Sequence, residues 1–337
     1  MTAEPAGGGR PSTKGKHRMM RRRGLLGSGL ALAAPPLASA QGFPSRPIRL
    51  VVTFPPGGTT DILARQLQPK MSELFGQPVV VENRSGASGA IGTVEIARSA
   101  PDGHTFGMVI STVISSTLIS RQPYDALRDL TPIQLLARVA DILVVPMSSP
   151  IRTVSDLVEH AKRNPGLTYG SPGIGTSVHI AGAMFALAAG VEMTHVPYRG
   201  GGPALTDLVS GHLNLMFGNA SSTLPFVRDG QLRAIAVTSA QRAPYLPNVP
   251  TVAESGLPGV VIDEWYAFVG PAGIPRPIVE RLNAGLNSIV TQPAERARLL
   301  DMGAEVVAGS ADDFARFMRE EVDKIGRVVR AADIRME

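Results

Sequence analysis

Three segments of this sequence place glycines and hydroxyl side chains where a β-branched run gives way to a helical pattern. They are Phe54 to Asp61 (FPPGGTTD), Ser171 to His179 (SPGIGTSVH) and Tyr198 to Ala204 (YRGGGPA). Each brings glycine-freed backbone N–H groups to a helix N-terminus, which carries about half a positive charge and unpaired donors. The chemistry this suits is capture of an anion or carboxylate. Strand C-terminal ends in open α/β sheets are also where ligands sit. A phosphate-binding P-loop is excluded, because no Gly-Lys-Ser/Thr follows any of the three. Gly86, Gly89 and Gly92 only loosely resemble a dinucleotide fingerprint, which needs another spacing and a ribose-binding acid.

Catalysis finds poor candidates. There is no Gly-x-Ser-x-Gly elbow and no His-Glu-x-x-His metal motif. The histidines His17, His104, His160, His179, His195 and His212 are scattered without ligand spacing. His179 reads as a helix-start residue rather than a base. Asp61 reads as a partner of the helix dipole and a cap for backbone donors rather than a general acid. Asp263 and Glu264 are paired carboxylates, read as solvated or hinge groups in preference to a site for a cationic ligand group. At strand spacing Trp265 and Tyr266 point to opposite faces, so at most one should line a cleft. Nothing calls for a cofactor or a metal, and the protein is read as no enzyme; an α/β hydrolase or transferase is the remote alternative.

The elements that must position these loops alternate in type. Strand Arg49 to Phe54 is followed by a helix capped by Thr59 or Thr60, whose Ile62, Leu63, Leu67, Met71 and Leu74 form one stripe. Strand Val79 to Asn83, a glycine-rich loop from Arg84 to Gly92, helix Thr93 to Ser99 and strand Thr105 to Ile110 come next. Ile133 to Ala140 and Ile142 to Met147 are two extended runs, and helix Thr153 to Arg163 is capped by Thr153 or Ser155. The alternation restarts with strand Leu167 to Gly170, helix Val178 to Ala189, strand Glu192 to Val196, helix Gly202 to Ser210 and strands Leu213 to Phe217 and Leu232 to Thr238. Val260 to Val269 is extended, and Ile278 to Val290 begins a helical C-terminus. Such alternation predicts an α/β fold with sheets flanked by helices. Two successive alternating units suggest two similar lobes. A chain that leaves through a strand near Leu143 and returns near Phe268 makes two crossover strands, hence a hinge.

The N-terminus reads as an export signal over residues 1–40. A basic patch at Arg18 and Arg21 to Arg23 precedes the apolar run Gly24 to Ala34, and Ala38-Ser39-Ala40 is a small-x-small site, so cleavage is expected after Ala40. Arg22-Arg23-Gly24-Leu25-Leu26 also fits a twin-arginine signal, although the general secretory route accepts the same features. Translation is expected to start at Met19 or Met20. The formal charge of +5 depends on this leader: it holds seven of 33 Lys+Arg and one of 28 Asp+Glu, leaving 26 against 27 and a net −1. The mature chain therefore gives no case for nucleic acid. Zero cysteines exclude disulfides, thiolate catalysis and a lipoprotein anchor, so no membrane anchor is expected.

Several segments in collinear order carry a resemblance. Pro47 to Val52, FPPGGTTD, Gln77 to Arg84, Ala100 to Gly103, SPGIGTSVH, His195 to Leu208 (HVPYRGGGPALTDL), Leu232 to Ser239 and Pro247 to Glu254 resemble the Bug-type receptors of tripartite tricarboxylate transporters, from about Phe43 to the C-terminus. The resemblance implies a two-lobed periplasmic binding protein fold, type II-like, with residues 42–143 and 266–337 as one lobe and 144–265 as the other. It implies a monomer that closes on a small carboxylate and delivers it to the transporter's membrane subunits. A sensor presenting its ligand to a periplasmic signalling receptor is the alternative. The ligand-binding roles fall to Phe54, Gly57, Gly58, Thr59, Thr60 and Asp61 in the first loop. In the second half they fall to Gly175, Thr176, Ser177, His179, Tyr198 and Gly200, with Ser111 and Thr112 as lesser contributors. Gly218-Asn219-Ala220 stands where many relatives carry an acid, which puts a ligand contact from that loop in doubt.

Overall fold

β-Branched runs too short for helices pair as strands, and the amphipathic stretches between them cross over and cover the sheet. The computed structural model describes residues 42–331 and residue 334; the leader, its arginine pair and the expected cleavage point lie outside the described residues. Strands Ile48–Val52 (β1), Val79–Asn83 (β2) and Thr105–Ile110 (β3) are parallel with β1 in the middle. Helix Thr59–Phe75 (α1) makes the first crossover, and a 3-10 turn, Ala87–Gly89, with helix Ala90–Ala97 (α2) makes the second. The same pattern recurs downstream: Leu167–Ser171 (β5) lies between and parallel to Met193–Pro197 (β6) and Leu215–Asn219 (β7). Helices Ser177–Ala189 (α5) and Gly201–Val209 (α6) are its crossovers.

One strand joins the two sets. The two extended runs expected between 133 and 147 form a single 17-residue strand, Leu130–Pro146 (β4), irregular near Pro132, Leu135 and Leu143. Up to Ala140 it pairs antiparallel with Asp263–Pro271 (β9), and from Asp141 onward with β7 and with Leu232–Val237 (β8). β9 in turn pairs antiparallel with β3. The sheet thus changes partners between Ala140 and Asp141, and the returning chain is tied there through Thr238 N–H to Asp141 O (2.9 Å) and Ile262 N–H to Thr238 O (3.1 Å).

Helices cover the remainder: Thr112–Ile119 (α3), Val154–Arg163 (α4), Ala220–Arg228 (α7), Arg276–Val290 (α8), Pro293–Asp301 (α9) and Ala311–Ala331 (α10), with the short strand Ala304–Val306 (β10) edging β4. Thr153 caps α4 through a reciprocal capping box with Asp156. α1, by contrast, begins after an extended Gly58 with no side-chain cap, so Thr59 and Thr60 are its first helical residues rather than its cap. α3 and α7 go beyond the sequence reading, since the TVISSTLI stretch is rich in β-branched residues and Pro225 sits inside α7. Among the described residues no helix is long and apolar enough to cross a membrane.

Alternation along β9 separates its two large aromatics as expected. Trp265 packs edge-on against Phe314 and Phe317 of α10, with ring centroids 6.0 and 5.6 Å away, and its indole N–H donates to Glu321 (3.1 Å). Tyr266 faces the other way. Gly107 of β3 sits where α2 presses on the sheet: a Cβ there would overlap the Ile96 side chain and lie 2.9 Å from Val51 O. Gly107→Ala is expected to cost about 1–3 kcal/mol by overpacking. Ile96→Ala in that background should recover part of the loss, although it destabilises alone; denaturant melts of the four proteins in the cycle measure the coupling.

Candidate functional site

Four helices end their N-termini on one small cavity. Gly58, Thr59 and Thr60 bring the start of α1, Thr176 the cap of α5, Gly200 and Gly201 the start of α6, and Asn219 with Ser222 the cap and first turn of α7. Phe54, Pro55, Ile110, Pro172 and Tyr266 complete the wall. In each of these helices the first-turn N–H groups have no intrahelical acceptor, and the dipoles add. No Lys, Arg, His, Asp or Glu lines the cavity, so its positive potential comes from backbone and its hydrogen-bonding side chains are neutral. The volume, about 20 Å³, is on the scale of a single water molecule. A larger cavity of about 390 Å³ adjoins it, sharing Phe54, Pro55, Pro172 and Gly200 and adding Tyr198, Arg199, Gly173 and the turn Ser85 to Gly89.

Both cavities lie between the loops of β1 to β3 and those of β5 to β7, which approach each other at glycines. A Cβ on Gly200, whose φ is +110°, would lie 3.0 Å from the Pro55 ring. One on Gly173 would lie 2.8 Å from Ser88 Oγ. The Ser115 hydroxyl donates directly to Gly175 O at 2.6 Å.

Behind the cavity, polar groups fix the loops. Asp61 is buried, and its carboxylate accepts from Gly57 N–H (3.1 Å), Arg65 (2.9 Å) and the Asn83 amide (2.9 Å). Burial alone would raise its pKa, but these hydrogen bonds outweigh that and hold the carboxyl below its ordinary range. This ties down Gly57, which has φ +81° and needs the absence of a side chain; Gly58 does not. Glu264 is wholly buried rather than solvated, and accepts from Ser111 N–H (2.9 Å), Trp265 N–H (3.0 Å) and Ser177 N–H (3.4 Å). Burial pushes its carboxyl up against the pull of these donors. Asp141, buried beside it and bonded to the Asn219 amide, is pushed well above the usual carboxylate range by burial and by the Glu264 charge, which favours its neutral form.

His179 is likewise a framework group. Its Nδ1 accepts from Gly175 N–H (3.1 Å), and its ring stacks on His195 with centroids 3.8 Å apart. Burial lowers its pKa to about 4; burial and then the neighbouring His179 lower that of His195 to about 3. Both rings are therefore neutral at pH 7. His195 Nε2 sits 2.6 Å from Ser171 Oγ, but that serine is buried and also contacts Gly173 N–H and O, so the pair is a structural clasp.

The residues singled out in the sequence divide into two groups. Phe54, Gly58, Thr59, Thr60, Thr176, Tyr198 and Gly200 line one or both cavities. Gly57, Asp61, Ser111, Thr112, Gly175, Ser177 and His179 stand outside those walls. Asn219, doubted as a contact, is on the inner wall. Tyr266 is the β9 aromatic that reaches it, which the strand alternation allowed for. Arg199, Ser88 and Ser222 were missed, although Arg199 lies within the YRGGGPA loop and Ser88 within a glycine-rich segment.

Residues 63–334 match the family described as the tripartite tricarboxylate transporter family receptor. The chain belongs to that family. It is of the Bug type: protein BugT of Bordetella pertussis is 34% identical over 318 residues, covering 93% of this chain and 97% of that one. An R. palustris protein solved with adipate has a TM-score of 0.85 at 36% identity, over 87% of this chain and 99% of that chain. MatC from Rhodopseudomonas palustris, with bound malate, has a TM-score of 0.81 at 31% identity, over 85% and 100%. The fold is thus that of the periplasmic solute-binding receptors, and this member is a binding protein rather than an enzyme.

The neutral histidine stack gives this receptor a defined acid sensitivity. His179 has a folded pKa near 4 against an ordinary value of 6.5, so the unfolded chain takes up the proton first as pH falls and stability is lost across that window. Between pH 7.5 and 4.5 the loss from this residue is roughly 2.5 kcal/mol. Asp141 and Glu264, with raised pKa values, act in the opposite sense, so the comparison must be a difference. His179→Asn keeps an acceptor for Gly175 N–H and should gain about that amount relative to wild type on acidification; denaturant titrations of both proteins at the two pH values check it.

Proposed function

We propose that this receptor captures a small organic acid by its carboxylate in the inner cavity and delivers it to the membrane subunits of a tripartite tricarboxylate-type transporter. The observation that carries this reading is the convergence of four helix N-termini on a pocket without a charged side chain. Such a pocket favours an anion through oriented N–H groups and hydroxyls. A cation would meet the wrong end of every dipole, and a neutral solute would forgo the electrostatic gain. Adipate and malate, held by the two solved relatives, are both carboxylic acids.

In this reading residues 42–143 with 266–337 and residues 144–265 act as two lobes of a monomer. They hinge where β4 changes partners and where the chain returns into β9. The cavity walls come from both sets of strands, so a solute seated there touches both and stabilises the closed arrangement over an open one. That differential contact is what a population shift requires. The inner cavity, contracted to about 20 Å³, admits a carboxylate only when the loops part. Glycine at 173 and 200 lets them come together again. Export by the N-terminal signal, with cleavage after Ala40, places the receptor in the periplasm.

Calorimetry or thermal shift with carboxylic acids and their primary amides tests the reading. The acids should bind, and the uncharged amides should lose at least a hundredfold in affinity. At 100 times its dissociation constant a true ligand adds about 2.7 kcal/mol of stability. Gly200→Val, placing a branched side chain against Pro55 at a positive φ, should weaken binding at least tenfold with an unchanged circular dichroism spectrum. Equal binding of acids and amides would remove the carboxylate from the proposal.

A further inference from the structure

Two adjacent acids at the start of β9 have opposite surroundings. Asp263 points to the outer face, where Arg138, Lys324 and Glu321 share a small cavity with it. Glu264 points inward toward Asp141 of β4, and neither of these two has any exposed surface. Among the described residues neither forms an ion pair. The groups that reach them are Ser177 from α5, the Asn219 amide from the end of β7, Ser111 from the start of α3, and the phenols of Tyr266 on β9 and of Tyr245 beyond β8. Glu305 of β10 faces Asp263 and Tyr245 instead, and His179, two residues along from Ser177, faces Gly175 and His195. The Ser177 hydroxyl is within hydrogen-bonding reach of both carboxyl groups, yet it has one proton to give. The Asn219 amide serves Oδ1 of Asp141, and no donor is directed at Oδ2. Two full charges side by side in a site closed to water and without a cation cost more than one charge beside one neutral acid. A proton on Asp141 Oδ2 would let that oxygen donate to Ser177 Oγ while Ser177 donates to Glu264, which completes the hydrogen-bond chain.

We infer that Asp141, Ser177 and Glu264 form a proton-binding site at the hinge, filled from solvent when the loops come together and emptied to solvent when they part. This rests on the closing of two lobes proposed above. Ser111 belongs to the β1 to β3 set of elements and Ser177 to the β5 to β7 set, so Glu264 cannot keep both donors once the sets separate. Withdrawing Ser177 also admits water to the pair, where each carboxyl ionises in its ordinary range. The proton is thus a second ligand of the closed form. The sign follows from the raised pKa of Asp141, which burial and then the Glu264 charge produce. Acid favours closure, and that support is lost as pH rises through the range in which the closed form gives up its proton.

The chain has no cysteine, so Ser88→Cys with Gly173→Cys can lock the loops together without mispairing. A Cβ on Gly173 lies 3.6 Å from that of Ser88, within the disulfide range of about 3.5–4.5 Å. Infrared spectra of the locked protein near neutral pH should show the C=O stretch of a protonated carboxylic acid that Asp141→Asn removes and Asp263→Asn keeps. The unlocked protein is titrated with adipate, the acid held by one solved relative. Affinity should rise by up to about tenfold per unit as pH falls from about 7 to about 5, with about one proton taken up per solute in calorimetry across buffers of different ionisation enthalpy. Asp141→Asn places an amide N–H where the proton sits, so it should bind at least as tightly as wild type near pH 7 and lose that slope. A merely structural role for Asp141 predicts weaker binding with the slope retained. A locked protein without the carboxylic-acid band, a band that Asp141→Asn leaves in place, or the same pH slope in both unlocked proteins would overturn the inference. If adipate does not bind, the solute reading fails for that acid, while the locked protein and the loss of its band on reduction still decide the proton site.

Discussion

A carboxylate taken wholly out of water must be solvated by the protein, and three main-chain N–H groups point at Glu264, with the side chains of Ser111 and Ser177 beside them. Its oxygens gather the N–H groups of Ser111, at the start of α3, of Trp265 beside it on β9, and of Ser177, at the start of α5. The first belongs to the β1 to β3 set of elements and the last to the β5 to β7 set. One side chain at the start of β9 therefore fixes where two helices begin and how the two sets face each other. Burying such a group without these donors would cost several kcal/mol. Its position beside the chain crossing at Ala140 and Asp141 makes it the reference point from which the loops around the cavities are placed.

The helices not spent on Glu264 are available to the cavity. α3 gives its N-terminus to the internal carboxylate and α5 divides its first turn between that carboxylate and the cavity, while α1, α6 and α7 point theirs into the open space. Each loop is held by a group outside the cavity walls: Asp61 for the first, His179 for the second, and Asp207, which accepts from the Tyr198 hydroxyl, for the third. Recognition through backbone donors needs such rigidity, because an N–H group can be aimed only by fixing the turn that carries it.

Sequence patterns exposed this design unevenly, for physical reasons. The three glycine-rich loops stood out because glycine and hydroxyl residues at a strand-to-helix junction have a local meaning. The alternation of elements exposed two successive units, and the order β2-β1-β3 repeated as β6-β5-β7 emerges only from the pairing of the strands. Of the solvated or hinge roles that the sequence allows Glu264, burial excludes the first, and burial is decided by what packs over a residue, here α3 and α5, neither of which is close in sequence. α3 and α7 escaped notice because β-branched residues and an internal proline lower helix propensity, and tertiary packing overrides it. β4 read as two runs because Asp141 interrupts its hydrophobic pattern, at the point where the strand changes partners. Asp61, His179 and Ser177 share the loops of the lining residues in sequence but stand outside the cavity walls, bonded to backbone or to Glu264 behind them; sequence proximity to a loop does not distinguish its front from its back.

Asn219 is one reason that no charged side chain lines the inner cavity. It lines the wall, and its amide N–H groups are given to Asp141 and to Ser177 Oγ. An acid at this position would place a second carboxylate against Asp141, which is already driven toward its protonated form by burial and by Glu264. It would also set a negative charge on a wall that otherwise carries none. Two like charges in so dry a place interact far more strongly than they would in water. With asparagine there, and with Asp141 favouring its neutral form, the cavity wall itself carries no charge, while the buried carboxyl groups of Asp61 and Glu264 are each met by hydrogen-bond donors behind it. The departure at Asn219 is therefore consistent with the carboxylate reading proposed for the cavity.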